Sequence, residues 1–304
     1  MKILVLGGSG FIGQAVVEVL AERGYEITIA TRKPLNHPFA HKACVVKKIE
    51  FHRLRRVSDW PGYLSGFDVI VNCVGILRER WKETFESVYH EVPAALAKAC
   101  SRLKKRFIHV TALGLTQQAQ SRFILMKRLG EKAIEQIEGE ICIVRPSLLD
   151  GKDGFGAGWL RRVAQWPIHF IPKCAVGKIA PMHVRDLGEA IAALCVCSVE
   201  ALPTSIEFGG EKHYQMSQYL DVLRIKKAPP IKFSLPACIV RSCAHIFDLL
   251  HLTPLSWGHV ELMRRDNLPR QEDTFALRLW IGRRPIEIDA QSIRPNTTHP
   301  YRND

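Results

Sequence analysis

The stretch KILVLGGSGFIGQAVVEVLAERGYEITIATRK, residues 2–33, restricts the fold more than any other part of this chain. A short apolar run enters Gly7, Gly8, Ser9, Gly10, Phe11, Ile12 and Gly13 directly. Phe11, Ala15, Val16, Val19 and Leu20 then recur at helical spacing until Gly24, a natural C-terminal stop. A second strand-like run, YEITIA, follows. Gly8-x-Gly10-x-x-Gly13 has the spacing of a dinucleotide loop, and so does the looser Gly7-x-x-Gly10-x-x-Gly13. Such a loop needs glycine for a tight turn, for close approach of backbone N–H groups to pyrophosphate, and for packing of helix on strand.

The alternation continues to about residue 200. ACVVKK, FDVIVNCVG, KRFIHVT, EICIVRP and the region around KIAPMHV read as strands, with helical patterns such as ETFESVYHEVPAALAKACSRL and SRFILMKRLGEKAIEQIEG between them. Strands separated by helices predict an α/β fold with a doubly wound parallel sheet (Rossmann type) over residues 1–200, ligands lying at the carboxyl ends of its strands. Past Glu200, a strand SIEFGG and short, proline-punctuated helices predict a smaller, mostly helical C-terminal lobe. It spans 201–292, closes the cleft and offers a substrate or partner surface. Residues 293–304 read as a flexible tail.

Composition narrows the class. With 47% hydrophobic and 24% charged residues the chain is an ordinary globular protein, and it has no run of some 20 uncharged apolar residues. The glycine turn straight after MKILVL argues against a secretory signal. Nine scattered cysteines do not make a disulfide framework, no CxxC occurs, and Cys195 and Cys197 read as packing on a buried helix, so no metal site is expected. A cytoplasmic setting follows. The net charge of +13 comes in short bursts (KK at 47, RLRR at 53, KKR at 104, RR at 161, 264 and 283) with no zinc-finger, helix-turn-helix or RNA-binding signature. That argues against a nucleic-acid partner. A solvated basic surface is the simplest account, and docking to an acidic protein or to the inner face of a membrane is the functional one.

The charge after the second strand selects between cofactors. A carboxylate there binds the ribose 2′-hydroxyl of NAD and repels a 2′-phosphate, whereas an arginine pairs with that phosphate. Arg32, with Lys33 beside it, predicts NADP(H) in preference to NAD(H).

With GGSGFIG at 7, ATR at 30, DVIVNCVG at 68, RFIHVTALG at 106, SRFILMKRLGE at 121, VRPSLLDG at 144 and PMHVRDLGEAI at 181, the chain resembles the atypical and extended short-chain dehydrogenases/reductases, which are epimerase/dehydratase-like. IEFGG, QYLDVLR and PLSWGHVELMRRDN extend the likeness to the branch holding the NADPH-binding accessory subunit of respiratory complex I and its bacterial relatives. The resemblance implies that Gly7, Gly10, Phe11, Ile12 and Gly13 cradle the pyrophosphate and that Arg32 meets the adenosine phosphate. It places Cys73, Val74 and Gly75 beside the adenine ribose, Thr111 and Ala112 near the nicotinamide, Lys127 on the nicotinamide ribose, and Pro146, Ser147 and Leu148 along the nicotinamide ring.

Active members of this superfamily combine a Ser or Thr, a Tyr and a Lys four residues after the Tyr on the same helix face. The Tyr exchanges the proton that accompanies hydride transfer, and the Lys lowers its pKa. Thr111 and Lys127 are the catalytic candidates here, but Phe123 stands at the Tyr position, and a phenyl ring has no proton to give. Ser121, Tyr89, His90 and His183 are other conceivable donors. Ser121 fits an N-cap better, Tyr89 and His90 fit a half-buried helix, and His183 fits a local hydrogen bond. Two functions therefore stay open: an NADP(H)-binding protein with weak or no turnover in a structural or redox-sensing role, or an active NADPH-dependent reductase or nucleotide-sugar epimerase/dehydratase acting on an unknown small molecule.

Overall fold

The computed structural model describes residues 1–32, 44–152, 154–226, 228–250 and 256–290. Lys33 and the tail from 293 fall outside them. Seven strands form one parallel sheet: β1 (Lys2–Leu6), β2 (Glu26–Thr31), β3 (Cys44–Lys48), β4 (Val69–Asn72), β5 (Arg106–Val110), β6 (Ile141–Pro146) and β7 (Ser205–Phe208). Their order is β7-β6-β5-β4-β1-β2-β3, so the chain reverses direction across the sheet between β1 and β4. Side chains alternate across it. Ile3, Val5, Val69 and Val71 enter the core on one face, while Leu4, Leu6 and Ile70 enter the core on the other. That two-residue period with apolar groups on both faces is what a sheet covered by helices on both sides requires.

Among the described residues the α-helices of six or more residues are α1 (Phe11–Glu22), α2 (Val92–Arg102), α3 (Arg122–Glu135), α4 (Phe155–Ala164), α5 (Val184–Val196), α6 (Met216–Val222), α7 (Ala237–Leu250), α8 (Trp257–Leu262) and α9 (Ala276–Ile281). Buried residues of α1, α5 and α9 share one core with the sheet, and those of α2 and α3 share the other. The Arg106 guanidinium donates to the carbonyls of Leu194, Cys195 and Cys197, closing the C-terminal end of α5.

Two expectations change. KIAPMHV does not add a strand to the main sheet. Lys178–Ile179 and Met182–His183 form two-residue pairings with Tyr214–Gln215 and Leu149–Asp150 instead, because Pro181 between them cannot donate to a ladder. The seventh strand is β7, from the SIEFGG expected beyond the boundary at 200; it pairs in parallel with β6 at the sheet edge. The helix expected from ETFESVYHEV starts as a π turn, Ser87–Glu91, before α2. Gly130 of α3 lies against this turn, where an added Cβ would sit 1.8 Å from the Tyr89 carbonyl oxygen.

The C-terminal segments are held to the sheet domain by buried carboxylates. Asp186 of α5 binds Arg283 (2.6 Å) and the Ile286 N–H (2.7 Å). Glu261 of α8 accepts from the N–H groups of Gln120 (2.6 Å) and Ser121 (3.0 Å) at the start of α3, where a negative charge meets the positive end of the helix.

Candidate functional site

Two cavities bear on the carboxyl edge of the sheet, and a third, of about 430 Å³ with Arg78, Glu79 and Arg122 in its wall, adjoins the second at Leu77 and Phe123. The smaller of the two, of about 190 Å³, has Gly7, Ser9 and Gly10 on one side and Cys73, Val74 and Gly75 on the other, with Thr31 and Arg32 beyond β2. These loops leave β1 and β4, the strands that flank the reversal. Gly7 has φ +73° and turns the chain out of β1. Gly13 lines neither cavity; a Cβ there would fall 2.2 Å from the Gly7 carbonyl oxygen, so its glycine is what lets α1 seat against the loop. The N-terminus of α1 has Gly10 as cap, no side-chain cap and no acidic residue in its first turn. Its amides and partial positive charge are therefore available to an anion, as pyrophosphate binding requires.

Three contacts stiffen this end. Ser9 Oγ and Thr31 Oγ1 lie 2.9 Å apart, joining the glycine loop to β2. Asn72 Nδ2 donates to His109 Nδ1 (3.1 Å) while its Oδ1 accepts from Val74 N–H (3.1 Å), fixing the loop after β4. His109 is buried; desolvation, reinforced by Lys127 and Arg145, pulls its pKa down to about 3, so it stays neutral and able to accept. Burial likewise pushes the Cys73 thiol up to about 12, which rules out a thiolate there near neutral pH.

Arg32 is in the wall of the same cavity, but its guanidinium is bonded to buried Glu83, whose other oxygen lies 3.8 Å from His52 Nδ1. No local motif announces this carboxylate, which lies 51 residues away and arrives from the turn before the π segment.

The larger cleft, of about 320 Å³, contains Phe11, Ile12, Thr111, Ala112, Phe123, Pro146, Ser147 and Leu148 from the sheet domain. The C-terminal side supplies Met216, His259, Leu262, Met263 and Asn267, and α4 supplies Trp159 and Leu160, none of them foreseen. Thr111 Oγ1 and Asn267 Oδ1 are buried here without a hydrogen-bond partner. Phe123 packs edge-on to Phe85 and Tyr89 (5.6 Å between ring centres in each case) and against His259 (5.4 Å).

Lys127 is not in the wall of either cavity. Its ammonium sits 4.4 Å from the Tyr89 ring centre and 5.5 Å from that of Phe123, and desolvation pulls its pKa down to about 8 against the opposing charge of Glu131. Each of the other conceivable donors except His90 has a structural task. Tyr89 Oη donates to the Ile76 carbonyl and accepts from the Ile76 N–H. Ser121 caps α3 by accepting from Ile124 N–H, and His183 Nδ1 accepts from Arg185 N–H at the start of α5. His90 is half-buried in the π segment.

The arrangement fits a dinucleotide lying across both cavities: a backbone cradle and uncapped helix end for the pyrophosphate, and an orphan hydroxyl, Thr111 Oγ1, at the far end. Among the described residues no group of His, Cys, Asp and Glu could hold a metal, and no helix is long and apolar enough to cross a membrane.

A ceramide reductase of Caulobacter vibrioides is 27% identical over 195 residues, covering 64% of this chain and 60% of that one. The mitochondrial NADH dehydrogenase (ubiquinone) 1 alpha subcomplex subunit 9 of Dictyostelium discoideum is 25% identical over 242 residues, 76% of this chain and 65% of that one. This chain thus spans less than two thirds of either relative. Among solved structures, MoeE5 in complex with UDP-glucuronic acid and NAD superposes with TM-score 0.66 at 13% identity, over 96% of this chain and 97% of that one, a likeness of fold. Residues 3–152, which carry the glycine loop, Arg32, Thr111, Phe123 and Lys127, match the model of the NAD dependent epimerase/dehydratase family.

Proposed function

We propose that this protein binds NADP(H) across the two cavities and turns it over weakly or not at all, serving as a structural or redox-sensing nucleotide-binding protein. The observation that carries this is Phe123 in the wall of the larger cleft, at the position where a proton-exchanging phenol is needed. Gly7, Gly10, Phe11 and Ile12 hold the pyrophosphate on the N-terminus of α1, with Gly13 letting that helix seat against the loop, and Arg32 meets the 2′-phosphate. Cys73, Val74 and Gly75 line the adenosine side. Thr111, Ala112, Pro146, Ser147 and Leu148 surround the nicotinamide, and Lys127 reaches its ribose. Bound there, the nucleotide supplies or accepts hydride; the chain's own residues orient it and exclude water. Lys127 makes no hydrogen bond among the described residues, which suits a side chain that acquires its partners with the ribose.

The basic surface, at +13 net charge, supports docking on an acidic partner or at the inner face of a membrane. A second reading, an active NADPH-dependent reductase, is favoured by the unpartnered Thr111 Oγ1 in an intact cleft and by the likeness to a reductase. Reduction of a carbonyl can draw its proton from water, whereas epimerisation or dehydration of a nucleotide sugar needs a positioned base. One experiment separates the readings: identify any co-purifying nucleotide, measure NADPH and NADH binding by calorimetry, and screen NADPH oxidation for wild type and Phe123→Tyr. Nucleotide binding with turnover only in Phe123→Tyr is expected; brisk turnover by the wild type overturns the binding-protein reading, and no heat with either nucleotide overturns both.

A further inference from the structure

The wall of the larger cleft carries no charged side chain among the described residues. Apart from four polar groups it is hydrocarbon, aromatic ring or thioether, with Leu148, Trp159, Leu160, Met216, Leu262 and Met263 forming its far side. A nucleotide sugar brings a doubly charged pyrophosphate and a ring of hydroxyls. Set against this wall, those groups lose water and gain no counter-charge, a cost that rises steeply for ions. A hydrocarbon chain gains instead, since every methylene that leaves water for such a surface is stabilised.

The polar groups are clustered by function. Thr111 is buried with Oγ1 unpartnered, and Asn267 Oδ1 is buried and unpartnered too. Asn267 is otherwise fully held. Its N–H donates to the Lys178 carbonyl (2.7 Å), its carbonyl accepts from Ser147 Oγ (3.0 Å), and Nδ2 donates to the Leu113 carbonyl (3.4 Å). That last bond identifies Oδ1 as the atom left without a donor. His259 is oriented from its other side, Nδ1 accepting from Ser256 N–H (3.3 Å) and lying 2.7 Å from Ser256 Oγ. A buried acceptor without a donor costs about 1–3 kcal/mol, so a group that supplies the missing proton is favoured.

We propose that this cleft binds a neutral, largely hydrocarbon alcohol, whose hydroxyl donates to Asn267 Oδ1 and accepts from Thr111 Oγ1 while its chain lies along Trp159, Leu160 and Met216. A carbonyl or ether oxygen satisfies Thr111 alone, because it has no proton for Asn267. This deepens the reading above: the hydroxyl end lies where the nicotinamide is placed, so the alcohol is the class of molecule the nucleotide would face.

The test is calorimetry on the full chain, with and without saturating NADPH, using 2-hexanol, 2-octanol and 2-decanol, the methyl ether 2-methoxyoctane, and UDP-glucose; Trp159 provides a fluorescence readout in parallel. Affinity should rise about three- to fourfold per added methylene, and 2-octanol should bind about tenfold or more tightly than its methyl ether. Asn267→Leu should abolish that preference. Thr111→Val, which keeps the side-chain shape, should weaken 2-octanol about fivefold and is the variant to use if Asn267→Leu does not fold. Binding without dependence on chain length, equal affinity for alcohol and ether, or UDP-glucose binding more tightly than 2-decanol would each overturn the proposal. Heat with NADPH but none with the alcohols overturns it while leaving the nucleotide reading standing; alcohol binding without heat from either nucleotide supports it and removes the nucleotide reading.

Discussion

The two ends of the site are built from different materials. At the glycine-loop end the wall is mostly backbone and charge: the glycine loop, the N-terminus of α1, Arg32 and Glu83. At the other end the wall is apolar and uncharged, and its far side comes from segments beyond residue 155. Backbone amides at a strand end depend on the sheet itself, so they are specified by local sequence and shared across a family. Side chains that converge from α4, α6 and α8 depend on how those helices pack, and they are where one member differs from another. The difference teaches that the anion cradle is set within the first 32 residues, while the apolar end is set by how segments far apart in the sequence pack together.

If the two ends are separable, a change in the loop should remove nucleotide binding without touching the apolar cleft. Gly13→Val places a side chain where even a Cβ meets the Gly7 carbonyl oxygen at 2.2 Å. Calorimetry should show nucleotide affinity falling by about 100-fold or more, roughly 3 kcal/mol, with 2-octanol binding retained. Loss of both would mean that the ends form one unit.

A second effect also belongs to the glycine-loop end. His109 holds Asn72, and Asn72 holds the loop that begins at Cys73. With a folded pKa of about 3 against 6.5 in the unfolded chain, the unfolded state binds more protons between those values. Stability must therefore be full above pH 6.5 and fall as pH drops toward 3, by about 2–4 kcal/mol. His109→Gln should flatten that slope in urea titrations taken at several pH values. An unchanged slope would mean that this histidine is not kept neutral by burial.

Arg32 offers a smaller and more discriminating effect. Its guanidinium is shared with Glu83, so an incoming 2′-phosphate gains an arginine and meets a carboxylate at once. Arg32→Ala should weaken NADPH about tenfold and NADH little; Glu83→Gln should strengthen NADPH by a few fold, because it removes the repulsion while leaving an oxygen to hold the arginine. Equal losses for both nucleotides in Arg32→Ala would remove the argument for the phosphate.

How much of this was legible in the sequence follows from the same distinction. The parallel sheet, its helices and the glycine loop were readable because each rests on contacts within a few dozen residues: alternating apolar strands, helical spacing and three glycines. Glu83 was not, because nothing near position 83 records that it meets Arg32 across the sheet edge. Asn72 and His109 left a faint signal, polar residues late in otherwise apolar strands, which marks buried groups that must be paired. Asn267 and His259 left none that periodicity could pick out. The strand Ser205–Phe208 was seen but set beyond the boundary at 200, since pairing partners in a parallel sheet lie far apart in sequence.

Lys127 lies between the two ends and supplies the most delicate test. The half-buried ammonium rests on the Tyr89 and Phe123 rings with a pKa near 8, below its ordinary value of 10.5. Below pH 8 the folded protein holds a charge at a desolvation cost. As pH rises from 8 to 10.5 the folded lysine has lost its proton and the unfolded one has not, so stability increases across that window. Lys127→Met should remove the increase and, at pH 7, stabilise the nucleotide-free protein by about 1 kcal/mol after allowance for partial solvent exposure. The same variant should bind NADPH several-fold more weakly if the ammonium reaches the ribose. Stabilisation combined with weaker binding identifies a residue kept for the ligand at a cost to the fold. Stabilisation with unchanged affinity would leave Lys127 as a packing residue, and would separate Phe123 and its helix from the nucleotide altogether.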